Sequence, residues 1–293
     1  MAENVIPAYP TKKRSQLRGV WTRYRKNRMA VAGLILLIIL FAIAICAPMI
    51  APYDKVVDQN LKERFAPMGS AHWFGTDEYG RDMFARIVWG ARYSLALGVG
   101  SIIISLVFGA LIGAVSGYYG GKIDSVIMRL MDILLAIPQT LMAICIIAAL
   151  GQGVMNLLIA MSASTVPKFV RIVRSSVLSL KNEEYIEAAR ACGTRDLRII
   201  YKHVLPNVLG PIIVQATITM ALTVLTISSL SFIGLGVPTP QPEWGTILAD
   251  NKAQMRYYPY LCTIPGVAIL VSVIAMNLIG DGLRDALDPK LIN

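Results

Sequence analysis

Residues 133–167 contain no Asp, Glu, Lys or Arg, and this run constrains the chain more than any other feature. As one helix its 35 residues would extend about 52 Å at 1.5 Å per residue, against roughly 30 Å of hydrocarbon in a bilayer. The run has to turn back on itself, and Gly151-Gln152-Gly153 is the natural turn. A third span is therefore expected to begin near Asp124, and a fourth to occupy 154–171. Further charge-free runs give a first span at 29–50, a second at 93–117, a fifth within 205–233 and a sixth at 257–280. No charge falls at mid-membrane in this scheme, and the expected fold class is an all-α membrane protein with six transmembrane helices.

Composition agrees. Apolar residues make up 55% of the 293 and charged residues only 16%, where a soluble domain carries about a quarter. Mean hydropathy is +0.58. A water-soluble enzyme is excluded at this level, and so are disordered, collagen-like and disulfide-scaffold classes, given 23 Gly, 15 Pro and 4 Cys. The first run exceeds the 7 to 15 residues of a signal-peptide core, so 29–50 is expected to be a retained span. Cys46, Cys145, Cys192 and Cys262 show no CxxC spacing and read as small buried hydrophobes, with no metal site.

The net charge of +10 acts through its placement. With six spans both termini share one side, and 20 of the 28 Lys and Arg fall on segments of that side. Cytoplasmic loops collect Lys and Arg, so the termini are expected to be cytoplasmic, in a bacterial inner membrane. No basic stripe is interleaved with aromatics, which excludes nucleic acid as a partner. Trp21, Trp73, Trp89, Trp244 and the tyrosine pairs Tyr118-Tyr119 and Tyr257-Tyr258 lie outside the apolar cores, where interfacial anchors belong. Ahead of the first span Leu17, Val20, Trp21 and Tyr24 recur at i, i+3, i+4 and i+7 among Arg18, Arg23, Arg25 and Lys26. That pattern predicts an amphipathic helix lying on membrane lipid at the inner interface.

Reactive constellations are missing from the sequence. His72 and His203 fall on opposite sides of the membrane and cannot share a metal or a triad. Gly117-Tyr-Tyr-Gly120-Gly121-Lys122-Ile123 imitates a phosphate loop but is one residue short, with Ile123 where a hydroxyl must bind Mg²⁺. The chain is not expected to hydrolyse ATP itself, nor to bind a cofactor. An ion-coupled transporter would carry ionisable groups inside the membrane. The nearest are Arg129 and Asp132, whose i, i+3 spacing predicts a local pair at the interface.

The informative segment is the basic-side loop 182–207. Good helix formers fill 183–192, Gly193 suits a left-handed stop, a second short helix is expected over 196–203, and Pro206 should end or redirect it. Two short helices hinged at a glycine make a compact knob, suited to docking into another protein and passing movement to the flanking spans.

Glu187-Ala188-Ala189, Gly193 four positions on, and Leu205-Pro206 together resemble the EAA loop of ABC-importer permease subunits, with His203 standing where an aliphatic residue is usual. Phe74-Gly-Thr-Asp-Glu-Tyr-Gly-Arg-Asp-Met-Phe-Ala-Arg followed by Gly90-Ala-Arg, then Pro242-Glu-Trp-Gly-Thr-Ile-Leu248 and Gly280-Asp-Gly-Leu-Arg-Asp-Ala-Leu-Asp-Pro289, narrow the likeness. They are similar to the second permease of dipeptide, oligopeptide and nickel importers, over nearly the whole chain.

The resemblance implies a type I ABC importer permease fold divided into a cytoplasmic tail with its interfacial helix (1–28), a first span (29–50), an outer loop (51–92), a permease core (93–281) and a C-terminal tail (282–293). It implies Glu187, Ala188, Ala189, Gly193, Leu205 and Pro206 as the ATPase-coupling residues. The implied partners are a second homologous permease, two ATPase subunits that hold ATP and Mg, and an extracytoplasmic solute-binding protein docking on 51–92 and 234–256. The implied function is ATP-driven import of di- or oligopeptides across the cytoplasmic membrane; the alternatives are the same architecture carrying a nickel complex or another small solute, an ion-coupled transporter, and a scaffold for an ATPase. For the translocation path, Gln215, Thr219, Thr223 and Thr226 fall within one arc of the fifth span. They either face the path or hydrogen-bond neighbouring helices.

Overall fold

A segment surrounded by lipid must satisfy its backbone internally, which leaves helices for a chain with these apolar runs. The computed structural model describes residues 16–287. Its helices are α1 (Gln16–Tyr24), α2 (Arg28–Ile50), a single turn α3 (Asp54–Val57), α4 (Met83–Tyr119), α5 (Gly121–Ala136), α6 (Gln139–Leu150), α7 (Val154–Leu180), α8 (Glu184–Ala191), α9 (Asp196–Ile199), α10 (Leu205–Phe232), α11 (Trp244–Asn251) and α12 (Tyr260–Leu287). Among the described residues α2, α4, α7, α10 and α12 are each long and apolar enough to cross a membrane, and α5 with α6 passes the same test only as a bent pair, a broken span or a re-entrant loop.

Three boundaries differ from the sequence expectation. α4 begins at Met83, ten residues before the charge-free run, because the Asp82 carboxylate caps it by accepting from the Ala85 N–H and because Arg86 is neutralised inside the fold. The third span is two helices meeting at 90°. Pro138 offers no N–H and pushes Ile137 out of the helical region, to φ −87° and ψ 125°. α7 and α12 continue past Arg171 and Gly280, since a charge on one face does not end a helix.

Close approach sets the packing. Gly109, Gly113 and Gly117 recur every fourth residue along α4, and a Cβ on any of them would stand within 3 Å of Phe169, Val170 or Val177 on α7. This is the small-residue seam by which membrane helices draw together. α12 lies between α2 and α10. α1 folds back onto its end: Tyr24 is buried with Ala30, Leu283 and Ala286, and its hydroxyl donates to the Ala30 carbonyl at 2.9 Å. Burial pushes the Tyr24 phenol above its ordinary pKa. The expected interfacial helix is therefore anchored on protein through Tyr24, with Trp21 left exposed. Residues 1–15, including Lys12, Lys13 and Arg14, and residues 288–293 lie outside the described part. One end of the bundle carries α1, the α4–α5 corner, α8–α9 and the end of α12, and is called the basic face below; the far face carries α3 and α11.

Candidate functional site

On the basic face α8 ends at Gly193 as the sequence predicts, with φ +71°. The Gly193 N–H donates to the Arg190 carbonyl (2.9 Å) and the Thr194 N–H to the Ala189 carbonyl (3.1 Å), the paired bonds of a Schellman stop. Glu187 and Ala188 are exposed, Ala189 half-buried. Ile186 points the other way, into a core with Val173 and Val177 of α7, Ala114 and Tyr118 of α4, and Ile199, Ile200, Val204 and Val208. The Tyr118 hydroxyl donates to Asp196 Oδ1 at 2.6 Å and accepts from Arg190 Nε at 3.3 Å, with the guanidinium 5.0 Å above the ring. The loop is thus fastened to three spans.

Pro206 does not end the second helix. α9 opens into a π turn at Ile200–Val204 and runs on directly as α10, with Leu205 half-buried and Pro206 exposed in its first turn. Pro206 lacks an N–H and its ring crowds the carbonyl four residues back; a wider turn placed there removes the conflict. His203 is half-buried and its carbonyl accepts from Asn207 Nδ2 at 2.6 Å. Two residues escaped sequence reasoning: Leu197 and Tyr201, 69% and 61% exposed, stand on the face of this helix turned away from Ile199, Ile200 and Val204. Their i, i+4 spacing was the available signal: a short helix with two apolar faces has one to bury and one to offer.

At the far face the motif residues turn inward. Asp77 Oδ2 accepts from Arg81 Nε (2.7 Å) and Arg86 Nη1 (2.6 Å), and both guanidinium groups reach Asp250 of α11, at 3.2 and 2.9 Å. The four charges cancel in a closed cluster. Beside it Glu78 holds the Tyr79 hydroxyl above the usual phenol pKa through a hydrogen bond and its charge. Glu243 is fully buried at the N-terminus of α11, accepting from the Thr246 N–H (2.9 Å), Ser94 Oγ (3.0 Å) and Ser228 Oγ (3.2 Å). The Trp244 indole donates to the Ile87 carbonyl at 3.0 Å and lies over Gly90, where a Cβ would come within 2.5 Å of the ring. These residues clamp α11 between α4 and α10. The apolar surface left open on this face is Leu61, Met68, Trp73, Met255 and Tyr257.

Two sequence expectations need correction. Thr219 and Thr223 are enclosed by this chain, 1% and 0% exposed, because α10 is wedged among α4, α7 and α12. Gln215, half-buried, donates to Thr219 Oγ1 at 3.0 Å, and half-buried Thr226 donates to its own Leu222 carbonyl at 2.8 Å. The stripe therefore packs helices at its centre: the Thr219 hydroxyl accepts from Gln215, and the Thr223 hydroxyl is buried without a hydrogen-bond partner among the described residues. Asp132 does not pair with Arg129 on α5; it accepts from Arg171 Nη2 of α7 at 2.5 Å. Of the cysteines, Cys262 is buried as expected and Cys46 half-buried, whereas Cys145 and Cys192 are exposed.

The described residues form a bundle of helices long and apolar enough to cross a membrane, with a braced knob at one end, the architecture of a membrane transport subunit. The chain belongs to the family described as binding-protein-dependent transport system inner membrane components, which matches residues 105–293. Residues 15–67 also match the N-terminal transmembrane domain of oligopeptide transport permease C. It is 45% identical to the dipeptide transport system permease protein DppC of Alkalihalophilus pseudofirmus, over 94% of this chain and 91% of that one. Identity is 41% to the oligopeptide transport system permease protein OppC of Bacillus subtilis (92% and 88% covered) and 40% to the glutathione transport system permease protein GsiD of Pectobacterium atrosepticum (95% and 92%). Among solved structures the inward-facing MetNI methionine ABC transporter superposes with a TM-score of 0.56 at 22% identity, over 70% of this chain and 98% of that one, and so shares the fold.

Proposed function

We propose that this chain is one of two related membrane subunits of an ATP-driven importer and carries short peptides from the far face to the basic face. Both termini and the 182–207 loop are cytoplasmic in this reading, in keeping with 20 of 28 basic residues lying on their side. Separate ATPase subunits hold ATP and Mg and dock on the loop, with Glu187, Ala188, Ala189 and Gly193 at the contact and Leu205 and Pro206 carrying movement into α10. A solute-binding protein delivers cargo to the far face around Trp73 and Tyr257, where apolar side chains stand open. Gln215 and Thr226 remain candidate path residues, with Thr219 and Thr223 supporting them from behind.

The observation that carries the reading is the knob itself. It is packed against α4, α7 and α10, yet leaves Leu197, Tyr201 and the Glu187 face exposed and without a partner among the described residues. A surface that is braced behind and open in front suits the transfer of force from a docked protein. Peptide cargo is supported by the relatives, whose names specify dipeptides, oligopeptides and glutathione.

The test is purification in mild detergent with mass identification of bound proteins. A second permease and ATPase subunits should be recovered with the native chain and lost with Glu187→Lys, and vesicles bearing the complex should take up dialanine in an ATP-dependent way. Recovery of the chain alone, with uptake driven by an ion gradient, would overturn the proposal.

A further inference from the structure

α7 and the bent pair α5–α6 are joined by three polar rungs. Gln139 Nε2 donates to Thr165 Oγ1 at 3.1 Å, Arg171 Nη2 to Asp132 at 2.5 Å, and Arg174 Nε and Nη2 to the two oxygens of Asp124. The first and third are part-buried, but the middle one is open: the Arg171 and Asp132 side chains are 54% and 52% exposed. Arg171 stands ten residues before Lys181, about 15 Å along the axis from the basic end of α7. Counted from Val154 it lies about 25 Å along the helix, near the inner edge of roughly 30 Å of hydrocarbon, where the open side of a charged pair faces water or protein.

The surroundings point to water. Between 160 and 180 the exposed positions of α7 are Arg171, Ser175 and Ser179, an i, i+4, i+8 stripe with no apolar member. In the other half of the helix the exposed positions are the apolar Met155 and Ile159. The α5–α6 pair bends by 90° at Pro138: α6 lies against α7 as far as the Gln139–Thr165 rung, and beyond it α5 is held to α7 through Asp132 and Asp124, leaving the Arg171, Ser175 and Ser179 edge uncovered. One turn above Arg171, half-buried Lys168 has no carboxylate partner among the described residues.

We propose that Arg171, Ser175 and Ser179, with Asp132 and Lys168, line the mouth of the translocation path on the basic face and form a station there for the two charged ends of a peptide. Arg171 and Lys168 receive the carboxylate and Asp132 receives the ammonium group. Arg171 and Asp132 already neutralise each other, so a passing zwitterion exchanges partners without leaving either charge bare, and the station guides cargo without trapping it. The choice of peptide rests on the function proposed above; the water-filled path does not.

The experiment uses the full complex in inside-out vesicles, with Cys46, Cys145, Cys192 and Cys262 changed to alanine. Ser175→Cys and Arg171→Cys are labelled with a membrane-impermeant thiol reagent, and Ile159→Cys serves as the lipid-facing control. Ser175→Cys and Arg171→Cys should react, Ile159→Cys should not, and trialanine should slow the reaction at position 175. In intact cells Arg171→Gln should lower trialanine uptake about tenfold, the loss expected for one charge-assisted hydrogen bond, while Arg171→Lys keeps most of it and assembly is unchanged. No labelling at 171 and 175 in a complex that transports would mean the stripe is sealed against the second permease, and would overturn this inference alone. Labelling without protection, together with normal trialanine uptake by Arg171→Gln, would overturn the station. Failure of the native complex to import any peptide, with position 175 still labelled, would instead remove the peptide reading and leave a water-filled path.

Discussion

Asp77 shows how much one side chain can carry in the far-face clamp. It is fully buried, and besides its two guanidinium partners its Oδ1 accepts the Tyr79 and Arg81 N–H groups at 2.9 and 3.0 Å. Replacing it with asparagine leaves Arg81 and Arg86 with Asp250 as their one carboxylate in a site closed to water. Breaking a buried pair from one side typically costs about 3–5 kcal/mol. Asp77→Asn should therefore lower the melting temperature of the detergent-purified chain well below that of Lys62→Gln, an exposed control. Equal melting temperatures would show that the cluster does not hold the clamp. The motif around Asp77 was visible in the sequence, but its inward direction was not. Asp250 lies 173 positions away, and the pairing of a 77–86 segment with α11 is a fact of tertiary structure. Gly193 was legible for the opposite reason: its positive φ answers to the residues beside it, whereas Gly90 is required by Trp244, over 150 positions on.

At the scale of elements, charge-free length located the five long apolar helices and the bent pair α5–α6, because hydrocarbon thickness acts on sequence alone. It placed boundaries poorly, because a charge that finds a partner or an aqueous face need not end a helix. Ending the fourth span at Arg171 also leaves Ser175 and Ser179 outside it, between that span and the 182–207 loop, and hides the stripe that they form with Arg171. Polarity drew attention to α10 instead, where Thr219 and Thr223 turned out to be interior. The coupling loop was legible as two short helices and a glycine, but its fastening was not. Tyr118, at the end of α4, is the fastener, touching Asp196 and Arg190 on either side of Gly193. Tyr118→Phe keeps the ring under Arg190 and removes two hydrogen bonds, each worth roughly 1–3 kcal/mol when a charged group takes part. The variant should assemble normally but import less dialanine per ATP hydrolysed. An unchanged transport-to-hydrolysis ratio would mean that movement reaches the spans through the Ile186 core alone.

For the whole molecule, sidedness and docking can be read with one native reporter. Cys192 is exposed on the knob at the stop of α8, while Cys262 is buried and Cys46 and Cys145 lie in the membrane-crossing helices α2 and α6. A charged, membrane-impermeant thiol reagent needs water and a thiolate, so Cys192 is the residue it should find. If the basic face is cytoplasmic, intact cells should leave Cys192 unlabelled and inside-out vesicles should label it. If the ATPase subunits cover Glu187 and Ala188, they also cover Cys192, one helical turn further along α8. Vesicles carrying the full complex should then label slowly, and vesicles stripped of the ATPases should label quickly. Labelling in intact cells would invert the orientation and, with it, the assignment of the far face to a binding protein. Fast labelling whether or not the ATPases are present would leave the orientation intact and move their docking site off the knob. The pair of results separates where the loop lies from what covers it, which the distribution of basic residues alone does not do.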